Sequence, residues 1–436
     1  MQMKSLDRST CLDVDTIYPK SLDEMENISD QAYCIAQGAG VSYVPASFGE
    51  EGTSISMGAF NKILSFDERA LTLEVEAGIS LGKIYQFLIE YKLCLPVQPG
   101  HPEISIGGCI AFNCHGKNQV KEGYFCDHVE EISLWHPDKG HLQLSRSKNA
   151  DVFDLTCGGM GLTGVITSAK IRVKKINSTR INVEIIKMNS LEETFLFLKN
   201  RQNDFDLLYS WHNWSSFFGL QGKGFVVTGK FKGNTFESIK KPQIKKRLKN
   251  QSFCFPIINN FTIPILNLLF EMWNIYLNNS YSENIWDFNF PIAKKSLYYR
   301  AFGRKGFLEQ QVIIPFEKAS AYSEELQNIV KNTKACIALS SLKIFNGEKH
   351  LLNFSGEGLV LSLDVKTNSQ GRAFFEKLDL LNMRLGCIPN LSKDSRISSK
   401  SVQATYKAEF VKFRNCLDRY DSLKRFRSVN SKRVGL

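Results

Sequence analysis

Residues 107–118 read Gly-Gly-Cys-Ile-Ala-Phe-Asn-Cys-His-Gly-Lys-Asn, and they combine a glycine pair, a short apolar run and a cluster that carries an imidazole and an ammonium group. Adjacent glycines let backbone N–H groups approach a large planar or phosphorylated ligand, because no side chain stands in the way. His115 and Lys117 can handle a proton and stabilise an anion beside that ligand. The stretch therefore predicts a pocket for a redox cofactor.

Two more glycine-rich turns accompany it. Residues 36–43 contain Gly38 and Gly40, and successive backbone N–H groups in such a turn form a concave nest for a pyrophosphate. Residues 158–164 contain four glycines, which indicates close approach of backbone segments. Pro45 argues against the helix that a doubly wound nucleotide-binding fold needs after its first glycine turn, and the phosphate-loop pattern of kinases and ATPases is absent from the sequence.

Length and composition set the class of protein. With 436 residues, 43% of them hydrophobic, the chain predicts two or more packed domains. Its eleven cysteines lack the close spacing of a disulfide scaffold or a zinc site, and the polar residues 1–10 lack an apolar signal core. We therefore expect a reducing, cytoplasmic setting and no metal.

Residues 240–277 join a basic run to an apolar segment and contribute to the net charge of +11. Pro and Asn residues and Glu271 interrupt the apolar part, so it does not predict a transmembrane helix. A basic run beside apolar residues such as Phe270 and Trp273 is typical of a contact with the surface of an anionic membrane, here its inner face. A core or lid helix after a solvated linker has the same pattern. No nucleic-acid motif accompanies the charge, so nucleic acid is not an expected partner.

Alternation of apolar and polar residues predicts several strands. Residues 71–78 and 165–174 alternate as half-buried strands do, and Ser80 is placed to cap a helix that follows the first of them. Further along the chain, residues 206–211 and 222–229 predict one pair of strands, and residues 309–314 and 359–365 predict a second pair.

These motifs carry a resemblance to a known family. The order of 40–43, 99–100, 107–118 and 158–164 is similar to the FAD-binding (PCMH-type) domain of the vanillyl-alcohol oxidase superfamily. Within it, residues 115–118, Leu391–Arg396 and the tail from Phe426 resemble the family of decaprenylphosphoryl-β-D-ribose 2′-oxidases. The resemblance extends over almost the whole chain and is weakest in the first thirty residues and around the basic run.

The resemblance implies an α+β fold with a two-lobed FAD-binding domain (1–176), an antiparallel-sheet substrate domain (177–389) and a C-terminal segment (390–436) that returns to complete the flavin site. Relatives that bind their flavin covalently often carry a histidine in the first loop, where this chain has Val41-Ser42-Tyr43, so we expect non-covalent FAD. The residues implied to bind FAD are Gly38, Ala39, Gly40, Val41, Ser42, Tyr43, Pro99, Gly100, Ile106, Gly107, Gly108, Ala111, Cys114, His115, Gly161, Thr163, Gly164, Ile166 and Lys393.

The implied activity is oxidation of the 2′-hydroxyl of a lipid-linked ribofuranose to a ketone, which a short-chain reductase partner then reduces to the epimer for cell-wall or surface-polysaccharide synthesis. Such a reaction needs a proton acceptor and a cation near the developing negative charge. His115, Lys117 and Lys393 are the implied catalytic residues, with the base unassigned between His115 and Lys393. Oxygen or a membrane quinone are both feasible electron acceptors.

The implied substrate pocket differs from the family pattern more than the flavin site does. Phe302 replaces a tyrosine, Glu309 a glutamine, Val360 an asparagine and Ser362 a cysteine. Buried polar groups left without partners cost on the order of 1–3 kcal/mol, so these changes alter which sugar or carrier can be accepted. The residues implied to contact substrate are Trp211, Phe302, Glu309, Gln311, Val360 and Ser362.

Two other functions stay open from the sequence. A related flavoenzyme could act on a soluble sugar, alditol or sugar lactone, which would need neither the basic run nor the apolar segment behind it. A binding or assembly protein could keep FAD for structure alone. Retention of His115, Lys117 and Lys393 together argues against the second alternative.

Overall fold

The computed structural model describes residues 1–28, 33–215, 219–233, 236, 254–291 and 297–436. The basic run 240–249, which is the first part of the basic and apolar stretch 240–277, lies outside these ranges.

The first 176 residues carry short strands and five short helices. The strands are β1 (Gln2–Lys4), β2 (Cys11–Asp13), β3 (Asp15–Ile17), β4 (Cys34–Gln37), β5 (Thr53–Ser56), β6 (Ile63–Asp67), β7 (Thr72–Glu76), β8 (Leu93–Cys94), β9 (Val129–His136), β10 (Gly140–Ser145), β11 (Val165–Arg172) and β12 (Lys174–Lys175). The helices are α1 (Leu22–Glu26), α2 (Leu81–Leu88), α3 (Ile106–Ala111), α4 (Gln119–Glu122) and α5 (Ala150–Thr156).

Two sheets organise this region. Strands β3, β5 and β4 form a parallel sheet, and β10, β9, β11, β7 and β6 form an antiparallel sheet in that order. The strands predicted over 71–78 and 165–174 are confirmed as β7 and β11. No helix follows the glycine turn after β4, as Pro45 predicts, and the chain instead reaches β5 through a loop.

Helix α2 begins where the sequence predicts. The Ser80 hydroxyl accepts a hydrogen bond from the Lys83 backbone N–H, which satisfies one of the first-turn donors that have no intrahelical partner. Leu81, Ile84 and Leu88 are fully buried because their spacing places them on one helical face. Their burial fixes the helix against the antiparallel sheet and keeps the residues that follow it near the glycine pair.

Residues 180–389 are built mainly on eight strands. These are β13 (Arg180–Met188), β14 (Leu207–His212), β15 (Gly224–Phe231), β16 (Ser280–Asn284), β17 (Phe307–Ile314), β18 (Ile337–Phe345), β19 (Gly358–Lys366) and β20 (Ile388–Pro389). Helices between them are α6 (Leu191–Arg201), α7 (Thr262–Met272), α8 (Ile285–Asn289), α9 (Leu297–Ala301), α10 (Ala319–Thr333) and α11 (Ser369–Leu385).

These strands form two antiparallel sheets, in the orders β14-β15-β13-β16 and β18-β19-β17-β20. The two predicted strand pairs are confirmed, because β14 pairs with β15 and β17 with β19. The edge strands β14 and β18 lie beside each other, and the Ser210 hydroxyl accepts a hydrogen bond from the Leu342 backbone N–H across the junction. Helices α6, α10 and α11 cover the apolar outer face of this surface.

The C-terminal segment returns to the first sheet. It comprises α12 (Ser399–Tyr406), α13 (Ala408–Tyr420) and α14 (Val429–Val434). The backbone N–H of Arg427 donates to Cys34 O of β4 at 3.0 Å, and Phe426 is buried in the same apolar cluster as Ile55. The expected α+β class, with an antiparallel substrate sheet and a returning C-terminal segment, is confirmed.

Candidate functional site

A cavity of about 1050 Å³ lies between the glycine turns of the first region and the two antiparallel sheets of the second. Drug-sized ligands occupy about 300–1000 Å³, so this cavity has room for a dinucleotide and part of a second molecule. Most of the residues expected to bind cofactor or substrate line it: Gly38, Ala39, Gly40, Val41, Ser42, Tyr43, Pro99, Gly100, Gly107, Gly108, Ala111, Cys114, His115, Lys117, Gly161, Gly164, Ile166, Trp211, Glu309, Gln311, Ser362 and Lys393.

Four expected site residues have their side chains in the core instead. Ile106 and Val360 are fully buried in separate apolar clusters. The Thr163 hydroxyl is hydrogen-bonded to that of Thr156 at 2.9 Å, which satisfies it inside the protein. Phe302 packs against Phe307 with ring centroids 4.8 Å apart. These four residues lie outside the cavity lining, where burial of their apolar or hydrogen-bonded groups is favourable.

The glycines allow neighbouring segments of the protein to pack closely. A Cβ on Gly38 would come within 2.0 Å of the Ser105 hydroxyl, and one on Gly107 within 3.2 Å of the Ala77 Cβ. Gly40 has φ +68°, the left-handed region that glycine adopts without strain. Within the described parts of the chain, no acceptor is hydrogen-bonded to the backbone N–H groups of Gly40 and Val41. The wall therefore fits an anionic, flat ligand such as a flavin dinucleotide.

A second observation supports a polar ligand at this wall. Gln98 is 8% exposed and lines the cavity beside Pro99, and its side-chain oxygen has no hydrogen-bond partner among the described residues. A buried acceptor without a donor is costly, so a ligand N–H or O–H at this point would be stabilising. FAD fits the donors and acceptors that the wall presents.

His115 follows α3 and faces β17. Its Nε2 lies 3.1 Å from Gln311 Oε1, and its Nδ1 lies 3.2 Å from Gly116 O. Burial, followed by the nearby Lys343 ammonium, lowers the pKa of His115 to about 3, so the imidazole is neutral. A neutral imidazole has one N–H and both neighbours are acceptors, so one ring nitrogen keeps a lone pair.

Lys117 is held by backbone carbonyls. Its ammonium group donates to Phe288 O and Asn289 O and lies 5.4 Å from the centre of the Tyr209 ring. Burial, followed by the charge of Lys343, lowers the pKa of Lys117 to about 7. Its contacts make Lys117 a group that fixes α8 at the cavity edge.

Lys393 lies between a carboxylate and an aromatic ring. Its Nζ is 3.3 Å from Glu309 Oε1 and 3.6 Å from the centre of the Tyr43 ring. Tyr43 belongs to the first glycine turn and Glu309 to β17, so Lys393 connects the first glycine turn to the sheet that contains β17. A cation held in this way is available to stabilise negative charge on a ligand between the two.

Sequence reasoning missed several charged and aromatic groups in the cavity. Lys343 lines it from β18, and burial, followed by the charge of Lys393, lowers the pKa of Lys343 to about 8. Asp364 lines it from β19, and Tyr298 and Tyr299 from α9. One signal was present for the first two, because each is a charged residue within a mainly apolar strand.

The apolar end of the cavity is formed by α7 and the strands behind it. Trp211 stacks on Phe225 with ring centroids 5.3 Å apart and contacts Phe270 of α7 at 5.1 Å. The outer side of the same helix and of the π-helical turn Trp273–Leu277 is exposed, with Phe261 80% and Leu277 73% accessible. None of the described helices is long and apolar enough to cross a bilayer.

Comparison with known proteins agrees with this geometry. Residues 16–145 match the FAD binding domain family. Over 400 residues, 88% of this chain and 86% of the relative, the sequence is 27% identical to a decaprenylphosphoryl-beta-D-ribose oxidase of Mycolicibacterium smegmatis. It is 30% identical to L-gulonolactone oxidase of Mus musculus over 28% of each chain, and 27% identical to a D-lactate dehydrogenase of Anaerostipes hadrus over 33% of this chain and 31% of that one.

Proposed function

Because residues 16–145 form an FAD binding domain, the protein is an FAD-dependent oxidoreductase, and we propose that it oxidises the 2′-hydroxyl of a polyprenyl-phosphate-linked pentose, such as ribofuranose, to a ketone. One observation carries the proposal. A single cavity has the glycine wall on one side, His115, Gln311 and Lys393 at its centre, and an apolar end at α7. The likeness to a lipid-linked ribose oxidase over 88% of the chain supports the substrate class.

The glycine turns would hold FAD without a covalent bond. The nest of residues 38–43 would bind the pyrophosphate, and Gly107, Gly108 and Gly161 line the same cavity, where glycine lets the backbone lie close to a ligand. When bound, FAD supplies the acceptor for the hydride of the alcohol carbon.

The chain's own residues would handle the proton and the charge. We leave the proton acceptor open between His115 and Lys393: His115 keeps a lone pair on one ring nitrogen, but its pKa of about 3 makes it a weak base. Lys393, which lies 3.3 Å from Glu309 Oε1, would stabilise the negative charge that develops as the hydroxyl proton leaves. Burial of the cavity strengthens both effects by excluding water.

Polar groups on β17 and β19 would orient the sugar. Gln311 donates to the Ser362 hydroxyl at 2.7 Å and accepts from Asn390 at 2.6 Å, so its amide is fixed in one direction. A fixed amide selects hydroxyl positions better than a mobile one, because a mismatched sugar leaves it without partners. Ser362 and Glu309, two of the departures from the family pattern, belong to this group and would decide which sugar is accepted.

Helix α7 would contact the membrane that contains the substrate. Its inner side lines the cavity through Ile263 and Phe270, and its outer side exposes Leu269, Trp273 and Leu277. This arrangement lets a lipid chain pass along the helix from a bilayer into the cavity. An exposed apolar face and a net charge of +11 both suit an anionic bilayer. Oxidation of a soluble sugar would not require this exposed apolar face.

Binding to vesicles tests the membrane contact. Each apolar side chain that enters the bilayer contributes about 1.5–3 kcal/mol, roughly ten- to a hundredfold in partitioning. We expect Trp273→Ser with Leu277→Ser to release the protein from anionic phosphatidylglycerol vesicles while FAD stays bound. Leu380→Ser is the matched control, because Leu380 is 64% exposed on α11 and lies outside the cavity lining. Equal binding of both variants would refute the contact.

The reaction itself is tested by trapping its product. The protein is incubated with polyprenyl-phosphoryl ribose, and the mixture is reduced with borodeuteride, which places deuterium on the carbon of a newly formed ketone. Deuterium at C2′ supports the proposal. Deuterium at another carbon, or turnover only of a soluble alditol or sugar lactone, would contradict it. A ketone at C2′ also requires a reductase partner to complete the epimerisation.

A further inference from the structure

Two carboxylic acids face each other across neighbouring strands of the substrate sheet. Glu309 of β17 and Asp364 of β19 are directly opposite in the antiparallel register. They are 6% and 2% exposed, and both line the cavity. Directly opposite side chains have Cβ atoms about 4.5–5.5 Å apart. At such a separation and burial, two ionised carboxylates repel strongly, and one of them takes up a proton.

The hydrogen bonds are complete only when the pair contains one proton. Asp364 Oδ2 accepts from the Tyr298 hydroxyl at 2.6 Å, while Asp364 Oδ1 has no donor among the described residues. Asp364 and Glu309 are direct cross-strand neighbours in the register of β19 and β17. A proton on Asp364 lets it donate to Glu309, whose other contact is the Lys393 ammonium at 3.3 Å. Every polar group in the chain Tyr298, Asp364, Glu309, Lys393 then has a partner.

The surrounding groups agree with a single negative charge. The titratable side chains around the pair are Tyr43, Tyr298, Tyr299, Lys343 and Lys393. Burial raises the pKa of all three tyrosines, so they are neutral. Burial, followed by the charge of Glu309, also raises the pKa of Asp364 well above its ordinary value.

From this geometry we infer that Glu309 and Asp364 share one proton and that the remaining negative charge holds Lys393 as an ammonium ion in the substrate cavity. Glu309 is thus a positioning residue that acts through Lys393. A neutral glutamine, the residue that the family pattern has at this position, would orient Lys393 by a hydrogen bond but would supply no counter-charge. The kinetic consequence rests on the proposed oxidation, whereas the shared proton does not.

Infrared spectroscopy at pH 7 tests the shared proton without any substrate. Most carboxylates are ionised at this pH, so a protonated buried acid shows a separate carbonyl band. We expect this band in the FAD-loaded wild-type protein and its loss in Asp364→Asn. In Glu309→Gln the burial of Asp364 still favours its protonated form, so the band should remain but change in frequency, because the acceptor of its hydrogen bond is then an amide oxygen instead of a carboxylate. Glu283→Gln, a carboxylate elsewhere in the cavity wall, should retain it.

The outcomes separate the inference from the proposed function. Absence of the band from the wild type, or a band whose frequency is the same in the isosteric Glu309→Gln variant, would overturn the shared proton. The kinetic arm compares the pH profiles of flavin reduction. A second proton on the pair removes the counter-charge of Lys393, so the wild type should lose rate on the acid side, and Glu309→Gln should lack that limb. Identical profiles would overturn the positioning role. If the band is present but no lipid-linked sugar reduces the flavin, the proposed function fails and the carboxyl pair remains.

Discussion

Replacement of Lys393 by methionine removes the cation that joins the cofactor wall to the substrate sheet. Its Nζ lies 3.3 Å from Glu309 Oε1, and the two side chains are 25% and 7% exposed. Loss of one preorganised charged donor from an active site lowers the rate by about 10²–10³-fold. Breaking a buried ion pair costs about 3–5 kcal/mol, and the partial exposure of Lys393 places the loss at the low end of that range.

Anaerobic stopped-flow measurement of flavin absorbance gives the rate, and urea unfolding gives the stability. We expect Lys393→Arg to retain most of the rate, and Lys393→Met combined with Glu309→Gln to recover stability but not rate. Lys121→Met is the matched control, because its ion pair with Asp206 is 35% and 38% exposed and contributes about 0–1 kcal/mol. A normal rate of flavin reduction in Lys393→Met would refute the assigned role.

Three further changes have defined outcomes. Gly164→Ala should reduce the melting temperature and FAD retention, because Gly164 has φ +147° and an added Cβ would lie 2.7 Å from Trp135 O. Gly140→Ala is the control: Gly140 has φ +66° and open space around it, so this change should cost only about 1–2 kcal/mol. Equal effects of the two changes would contradict the prediction. Phe302→Ala should lower the free energy of unfolding in urea by about 3–5 kcal/mol, because Phe302 is 1% exposed. A smaller loss would indicate that the Phe302 side chain lies at the cavity surface and not in the core. Folding lowers the pKa of His115 from 6.5 to about 3. Between pH 6.5 and pH 3 the unfolded chain therefore binds this proton more tightly than the folded protein does, so the free energy of unfolding decreases as the pH falls through that range. His115→Gln should lose less stability between pH 7 and pH 5 than the wild type, and an equal loss would exclude His115 as the cause.

Local chemistry made much of the fold predictable. Ser80 and the apolar spacing after it predict α2 because a capped helix with one buried face needs only neighbouring residues. The glycine turns predict close approach of backbone segments, and Gly158 and Gly164 indeed have positive φ. The strands β17 and β19 could be predicted because both are short runs rich in Val, Ile and Leu.

The site was less predictable because it depends on register and on direction. Phe302 is buried outside the cavity lining. Val360 lies on the same face of β19 as Ser362 and Asp364, but an apolar cluster shared with the first region covers it, which the sequence of the strand alone does not show. The pair of Glu309 and Asp364 depends on the register of two strands that are separated by another strand and a helix along the chain. Lys343 belongs to a third strand and enters the site only through the folded sheet.

The most direct test of the central claim is the absorbance spectrum of the purified protein before and after anaerobic addition of polyprenyl-phosphoryl ribose. The predicted result is a flavin spectrum that bleaches with this substrate, together with FAD that is released when the protein is denatured. Bound FAD that stays oxidised would contradict the lipid-linked substrate, and a folded protein without affinity for FAD would contradict the whole account.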